Sequence, residues 1–144
     1  MLLLDANLLI YAFRHDLPQH AAAKRWLEAK LSGDEPLGLH LLSELAFLRI
    51  TTNPHAFSHP SHLDEALRFL QKLRSPTAVS EVHSGPEQRE IFVRLARDYH
   101  LVANDLSDAF IAAVAIEAGA VLASADHGFG RFRGLRWIDP LSGQ

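Results

Sequence analysis

The segment from Asp105 to Asp126, DLSDAFIAAVAIEAGAVLASAD, contains the pattern that decides the fold class. Its first part is apolar at helical spacing, and Gly119 is a typical residue with which to end a helix. Residues 120–125 form a short, mostly apolar run that predicts a buried strand, and Asp126 follows that strand directly. A helix that leads straight into a buried strand is the repeating unit of an α/β protein.

The rest of the chain repeats this alternation and predicts a mostly parallel sheet within one domain, residues 1–144. Predicted strands cover residues 2–4, 37–39, 77–82, 120–125 and 135–138. Predicted helices cover residues 7–13, 18–31, 41–50, 61–73, 84–98 and 105–119. Asp16 is expected to cap the second helix, and Ser84 with Glu87 has the spacing of a capping box for the fifth.

Composition excludes several classes of protein. The 144 residues are 48% apolar and 22% charged, which is ordinary for a globular domain and unlike a disordered chain. The absence of cysteine excludes a disulfide scaffold, a thiolate zinc site and a cysteine nucleophile, and it suits the cytoplasm. The net charge of -3 argues against coating nucleic acid through bulk positive charge, but it allows a nuclease with a local acidic centre. We expect no targeting segment and no membrane span, because charged residues interrupt both long apolar runs.

Four acidic residues are expected near the carboxyl ends of the strands, where ligands bind in sheets of this type. Asp5 and Asp126 each follow a predicted strand, and Glu44 lies in the first turn of the helix after the second strand. Asp108 opens the helix before the fourth strand. Crowded carboxylates are costly unless a cation compensates their charge, so the set predicts a Mg²⁺ or Mn²⁺ site with oxygen ligands.

The position of Asp108 is the most informative of the four. Asp108, Ile111, Ala112 and Ala115 recur at i, i+3, i+4 and i+7, so the acid lies on the apolar stripe of its helix. An acid that faces the core needs a partner of opposite charge, and a bound metal ion would supply one.

Each acid alone also has a purely structural explanation. Asp5 could cap the helix that follows it, and Glu44 and Asp108 could stabilise helix starts through the helix dipole. Asp126 could belong to an ordinary turn. These separate explanations do not account for four acids at one end of one sheet. Asp105 is interpreted as a helix cap outside the site.

Several stretches resemble the PIN-domain ribonucleases, most closely the VapC toxins of bacterial type II toxin–antitoxin systems. They span nearly the whole chain in order and spacing. The stretches are residues 4–11 (LDANLLIY), 43–49 (SELAFLR), 52–54 (TNP), 108–113 (DAFIAA), 124–129 (SADHGF) and 132–140 (FRGLRWIDP). Each motif alone is common, and the ordered set carries the resemblance.

The resemblance implies a PIN-like three-layer α/β/α sandwich and metal-dependent hydrolysis of RNA that leaves 5′-phosphate and 3′-hydroxyl ends. The acidic metal site implied by the match consists of Asp5, Glu44, Asp108 and Asp126. Asn7 and Ser124 match polar positions that support this site. Ser124 stands where many members have threonine, and it keeps the hydroxyl. Paired metal ions about 4 Å apart can activate water and relieve charge on the phosphate.

The resemblance also implies partners. A VapB-type antitoxin would wrap the toxin and place a side chain, often an arginine, in the acidic groove. Homodimers are usual in the family, and the substrate would be RNA in the cytoplasm.

Three arginines are candidates for contact with RNA phosphates, namely Arg14, Arg49 and Arg131. Arg49 is favoured because it follows Glu44 on the same helix. The histidines at 55, 59 and 62 are expected in a loop or short helix near the site, without a catalytic role. His127 is interpreted as a turn residue, with a role beside Asp126 as the alternative.

Two other classes of function remain open from the residues alone. A receiver or haloacid-dehalogenase-type phosphatase also uses strand-end aspartates and Mg²⁺, but both need a lysine late in the chain, and none follows Lys72. The phosphatase also needs an aspartate where Asn7 stands. A PIN fold that only binds RNA or a protein partner is the other alternative, and loss of Mn²⁺-dependent cleavage in an Asp5→Asn variant would separate enzyme from binder.

Overall fold

The computed structural model describes residues 1–143. The strands are β1 (Leu2–Leu4), β2 (Leu37–Leu39), β3 (Val79–Glu81), β4 (Val121–Ala123) and β5 (Arg136–Ile138). The α-helices are α1 (Ala6–Phe13), α2 (His20–Leu31), α3 (Leu41–Thr51), α4 (Leu63–Arg74), α5 (Gln88–Asp98) and α6 (Asp105–Glu117), and a short 3₁₀ helix covers His127–Arg131. None of the helices within residues 1–143 is both long and apolar enough to cross a membrane.

The five strands form one sheet in the order β3-β2-β1-β4-β5, and all four pairings are parallel. The predicted α/β class is therefore confirmed. Strand β1 lies at the centre, where Leu3 pairs with Gly38 of β2 and with Leu122 of β4. A strand that is buried on both faces must be apolar throughout, which explains the run of three leucines.

Helices cover both faces of the sheet. Leu2 and Leu4 of β1 pack into one core with residues of α1, α2, α3 and α4, whereas Leu3 packs into a second core with residues of α5 and α6. This split follows from the strand geometry, since successive side chains point to opposite faces. The result is the expected three-layer α/β/α sandwich.

Three predicted helix caps are wrong. Asp16 does not cap α2, which begins at His20; its carboxylate instead accepts hydrogen bonds from Arg14. Ser84 does not cap α5, because its hydroxyl lies 3.2 Å from Nε2 of His40. In both cases another side chain, Arg14 or His40, bonds the group that was expected to cap the helix. Asp105 is the third, because it is the first residue of α6 and Asn104 occupies the N-cap position. The expectation for Gly119 is met, because it follows α6 with a φ of +61°.

The topology directs three helix starts to one edge of the sheet. Helices α1 and α3 each begin directly after a strand, and α6 runs back to begin near the same edge before β4. Asp5 donates its backbone N–H to the carbonyl of Ala123, 3.1 Å away, which joins the ends of β1 and β4. Chain segments that carry polar side chains therefore meet at the carboxyl edge of the strands, the usual ligand position in such folds.

Gly38 in β2 gives a test of how tightly the sheet is packed. A Cβ at this position would lie 2.6 Å from Val82 Cγ2 and 3.0 Å from Met1 Sδ. We expect Gly38→Ala to lower the free energy of unfolding by about 1–3 kcal/mol, because the core must shift to admit the methyl group. Urea denaturation measures the change.

Gly33→Ala is the matched control, because its new Cβ would meet nothing closer than the Ala29 carbonyl oxygen at 3.4 Å. Its free energy of unfolding should stay within about 0.5 kcal/mol of wild type. Equal stabilities of the two variants would show that β2 is not closely packed.

Candidate active site

A groove with a volume of about 570 Å³ opens at the carboxyl edge of the strands, between the start of α1, one side of α3 and the start of α6. We call it the acidic groove, because Asp5, Asp108 and Asp126 all line it. Its other lining residues are Ala6, Asn7, Ile10, Leu42, Ser43, Leu45, Ala46, Arg49, Ile50, Asn104, Ser107 and Ile111. The structure thus brings together three of the four predicted acids.

Asp5 caps α1 and also lines the groove. Its Oδ1 accepts a hydrogen bond from the Ala6 N–H at 2.8 Å, and its Oδ2 accepts one from the Ser124 hydroxyl at 2.6 Å. Burial raises the pKa of Asp5, while the bonds from Ser124 and Ala6 lower it and the charge of Asp126 raises it again. The capping role and the site role are therefore compatible in one side chain.

Ser124 and Asn7 hold the Asp5 carboxylate in place. The Ser124 hydroxyl accepts bonds from Asn7 Nδ2 at 2.8 Å and from the Asp126 N–H at 3.1 Å, while it donates to Asp5. Asn7 Oδ1 accepts from the Ala125 N–H at 3.2 Å. One donor and two acceptor positions are all that a hydroxyl has, so Ser124 is fully satisfied. These contacts fit the supporting positions that the resemblance assigned to both residues.

Asp108 lies in the first turn of α6 with about a third of its side chain exposed, at 32%. The pKa of Asp108 is raised to about 6, mainly by burial and further by the charges of Asp126 and Asp5, while Arg131 lowers it. Asp126 is exposed, and its Oδ1 accepts a bond from the Gly128 N–H at 2.8 Å. The three carboxylates therefore feel one another's charge across the groove, which is the arrangement that a cation would relieve.

Glu44 is the exception, and the structure corrects its predicted place. It lies on the buried side of α3 and forms a two-point ion pair with Arg74 at the end of α4, with N–O distances of 2.6 and 2.9 Å. The α3 residues that line the groove centre on positions 42, 46 and 49. On a helix, position 44 points away from that face, so its location in the first turn did not bring it to the other acids.

The three predicted RNA-contacting arginines have different environments. Arg14 is buried, and its guanidinium donates to Asp16, to the His59 carbonyl and to the Ser61 hydroxyl, so its predicted contact with RNA is corrected to a structural role. Arg131 lies 3.6 Å from Asp108 at the rim of the groove. Arg49 is exposed and lines the groove. Only the last two can reach a ligand there.

The histidines have structural contacts. His127 Nε2 lies 2.8 Å from Asp139 Oδ2, and its ring packs against Trp137. His55, His59 and His62 lie in the loop between α3 and α4, as expected, but none of them lines the groove.

His40 fixes the start of α3, which forms one wall of the groove. Its Nδ1 accepts a hydrogen bond from the Leu42 N–H at 3.0 Å, so the neutral ring carries its proton on Nε2 and donates it to Ser84. Burial lowers the pKa of His40, which favours this neutral form.

Comparison with known proteins shows the family. The protein-family model described as 'PIN domain' matches residues 2–135 of this sequence. The chain belongs to the PIN-domain family. Within that family it is 40% identical to Ribonuclease VapC43 of Mycobacterium tuberculosis over 144 residues, which covers 100% of this chain and 98% of the relative. It is 35% identical to Ribonuclease VapC37 of the same species, with 97% of each chain covered.

Solved structures agree on the fold of this PIN domain. VapBC2 from Rickettsia felis, bound to a DNA fragment from its promoter, superimposes with a TM-score of 0.69 at 17% identity and covers 95% of this chain and 96% of its own. VapC20 of Mycobacterium tuberculosis, a sarcin-ricin loop cleaving toxin, has a TM-score of 0.63 at 18% identity, with 94% and 99% covered. Membership of the PIN-domain family excludes the receiver and the haloacid-dehalogenase-type phosphatase as alternatives.

The groove of this PIN domain suits a hydrated magnesium ion better than an all-protein cage. Within residues 1–143, no three His, Cys, Asp or Glu side chains converge closely enough to form a ready-made metal-binding cluster. Mg²⁺ usually binds through one or two carboxylates and keeps several waters, so a tight cluster is not required. The hard oxygens of Asp5, Asp108 and Asp126 therefore fit such an ion.

Sequence reasoning missed several polar residues of the groove. Ser43, Asn104 and Ser107 line it, but none was a predicted site residue. Ser107 had a usable signal, because it directly precedes Asp108 at the same helix start. Ser43 lay within a motif of the resemblance, but it carried no chemical signal that distinguishes it from any helical serine.

The Glu44–Arg74 pair predicts a loss of stability rather than a loss of metal binding. Glu44→Gln removes a buried charge that accepts two bonds, so we expect the free energy of unfolding to fall by about 1–3 kcal/mol. Urea denaturation measures this loss. Mn²⁺ should raise the Tm of the variant as much as it raises that of wild type, because Glu44 does not line the groove. Glu81→Gln is the control, since Glu81 is more exposed and lies 3.7 Å from Arg74. Unchanged stability with lost Mn²⁺ binding would return Glu44 to the metal site.

The raised pKa of Asp108 predicts a specific pH dependence of the metal-free protein. Between its usual value of 3.8 and its folded value of about 6, the folded state holds a proton that the unfolded state has released. The free energy of unfolding should therefore fall as the pH rises through this window. Asp108→Asn should remove this contribution and be at least as stable as wild type above pH 6, as measured by urea denaturation across the pH range.

Asp64→Asn provides the comparison, because it removes an exposed acid from the first turn of α4. If both variants lose stability to the same extent, Asp108 acts only as a favourable charge at a helix start.

Proposed function

We propose that this PIN domain is a Mg²⁺- or Mn²⁺-dependent endoribonuclease and the toxin of a type II toxin–antitoxin system. The observation that carries the proposal is the convergence of Asp5, Asp108 and Asp126 on one groove at the ends of β1 and β4. The identity of 40% to Ribonuclease VapC43 along the full chain supports an RNA substrate.

A bound divalent ion would supply a nucleophilic water at neutral pH and charge stabilisation for the phosphate and the leaving oxygen. Asp5, Asp108 and Asp126 are the residues that would hold it. Ser124 and Asn7 keep the Asp5 carboxylate turned toward the groove, since both are tied into the ends of β1 and β4. Orientation of this kind by outer partners commonly changes metal affinity or activity by about 10–100-fold.

Two arginines at the groove, Arg49 and Arg131, can contact the RNA backbone, and their surroundings differ. Arg49 is exposed on the α3 wall, where its guanidinium can contact a phosphate. Arg131 lies 3.6 Å from both Asp105 and Asp108, so in the free protein it offsets part of the acidic charge. Both contacts involve Nη2 of Arg131, so the other nitrogens of its guanidinium can contact a phosphate.

A protein partner follows from the same charges. The structural neighbours include VapBC1 from nontypeable Haemophilus influenzae and DNA-bound VapBC from Salmonella typhimurium, with TM-scores of 0.68 and 0.66. We propose that a VapB-type antitoxin inhibits this chain by placing a cationic side chain against the acidic groove, where a charge-assisted contact is strong. We also propose that the protein forms a homodimer and acts in the cytoplasm.

Cleavage of RNA by the purified protein tests the function. We expect cleavage with Mn²⁺ or Mg²⁺, none with EDTA, and none in Asp5→Asn or Asp126→Asn, because each removes a carboxylate of the groove. Ser124→Ala should lower the rate about 10–100-fold, since it keeps every carboxylate of the groove but removes the hydroxyl that orients Asp5. Gel analysis of RNA ends provides the measurement.

The matched control for charge is Asp64→Asn, which should cleave as wild type does. Full activity in EDTA would rule out the metal mechanism. Binding of RNA without cleavage under all conditions would establish the alternative, a PIN fold that only binds.

A further inference from the structure

Ser43 has a buried hydroxyl with no partner. It lies in the first turn of α3, only 3% of the residue is exposed, and it lines the acidic groove. Within residues 1–143, its Oγ has no hydrogen-bond partner. Buried hydroxyls are normally paired, so an unpaired one in a residue that lines a cavity is a candidate to bond a group that enters the cavity.

The other hydroxyls of this helix and its end are paired within the protein. Thr51 Oγ1 donates to the Phe47 carbonyl at 2.8 Å, and Thr52 Oγ1 donates to the Leu48 carbonyl at 2.7 Å. This backward bond to the fourth preceding residue is the usual one for a helical hydroxyl. Ser43 is therefore the exception on α3.

The chain explains why Ser43 cannot use the same bond. The carbonyl four residues earlier belongs to Leu39 of β2, and the backbone of His40 after it is extended, so this carbonyl does not lie in the position of a helical acceptor. The carbonyl three residues earlier belongs to His40 and accepts the N–H groups of Ser43 and Glu44. Because Ser43 stands in the first turn of α3, it lacks the helical acceptor that Thr51 and Thr52 use.

The α3 wall of the groove also has the right charge for an anion. Its lining residues are apolar apart from Ser43 and Arg49, and none is acidic. The three carboxylates belong to other elements of the groove, at the starts of α1 and α6 and after β4. In addition, the start of α3 carries the partial positive charge of a helix N-terminus. An oxygen acceptor with negative charge is thus favoured on the α3 side.

We propose that Ser43 is a substrate-binding residue whose hydroxyl donates a hydrogen bond to a nonbridging phosphate oxygen of RNA in the acidic groove. This inference rests on the proposed function and assigns a residue to it. A hydroxyl bonded to a charged phosphate oxygen is among the stronger hydrogen bonds. The contact is to the backbone, so it does not depend on the base sequence.

The affinity for RNA tests the role directly. The parent protein carries Asp126→Asn, so that RNA stays intact, and the probe is a random-sequence pool of single-stranded RNA in Mg²⁺. Adding Ser43→Ala should weaken binding about 10-fold, the loss expected for one hydrogen bond to a charged group. The Tm of Ser43→Ala should equal or exceed that of its parent, because the removed hydroxyl had no partner in the free protein.

Thr51→Val is the matched control on the same helix. Its buried hydroxyl is paired with the Phe47 carbonyl and does not line the groove. This variant should lose stability and keep the parent's affinity for RNA, the reverse of Ser43→Ala. A fall in Tm without a change in affinity for Ser43→Ala would make Ser43 a structural residue and overturn the inference.

A phosphorothioate pool identifies the atom that Ser43 contacts. Sulfur is a weaker acceptor than oxygen, so the parent should bind the phosphorothioate pool less tightly than the phosphate pool. The ratio of the two affinities should be smaller in Ser43→Ala, since the donor is gone. Equal affinities of Ser43→Ala and its parent would overturn the inference alone, whereas a parent protein that binds no RNA would overturn the proposed function with it.

Discussion

The Ser124 hydroxyl makes the contacts on which the arrangement of the acidic groove depends. It donates to Asp5, accepts from Asn7 and from the Asp126 backbone, and so joins the end of β1 to the end of β4. Trp137 of β5 donates to the carbonyl of Ser124 and continues the connection across the sheet. A saturated hydroxyl at a fully buried position allows little movement, because any displacement would leave a buried polar group unpaired.

The rigid strand ends hold like charges closer together than they would be in a flexible chain. Asp108 shows the effect, since burial and the nearby carboxylates of Asp126 and Asp5 raise its pKa to about 6. Arg131, 3.6 Å away, offsets part of this repulsion from the rim. The carboxylates of the groove therefore repel one another, and any cation that enters, whether a metal ion or a partner's side chain, relieves this repulsion.

The fold could be read from the sequence because its signals are local. The leucines of β1, the stripe that begins at Asp108 and the glycine after α6 each reflect a spacing of a few residues, and the structure follows them. Strand-end acids could be located for the same reason. Glu44 and Arg14 could not, because their environments depend on partners far along the chain, 30 residues away at Arg74 and 45 at His59. Periodicity within one helix predicts the face on which a side chain lies, but it does not identify the residue that the side chain contacts.

The two sides of the groove differ in charge, and this difference relates the positions of the acids, Arg49 and Ser43 to one another. The acids follow strands or open α6, so they are held at the sheet's edge and attract a cation. The α3 wall contributes Arg49 and the unpaired hydroxyl of Ser43, and its one acid, Glu44, is turned away and neutralised by Arg74. Had Glu44 faced the groove, both walls would repel a phosphate. Its pairing with Arg74 therefore does more than join α3 to α4: it leaves one wall free of negative charge, so that an anionic backbone can lie between that wall and a cation held by the other.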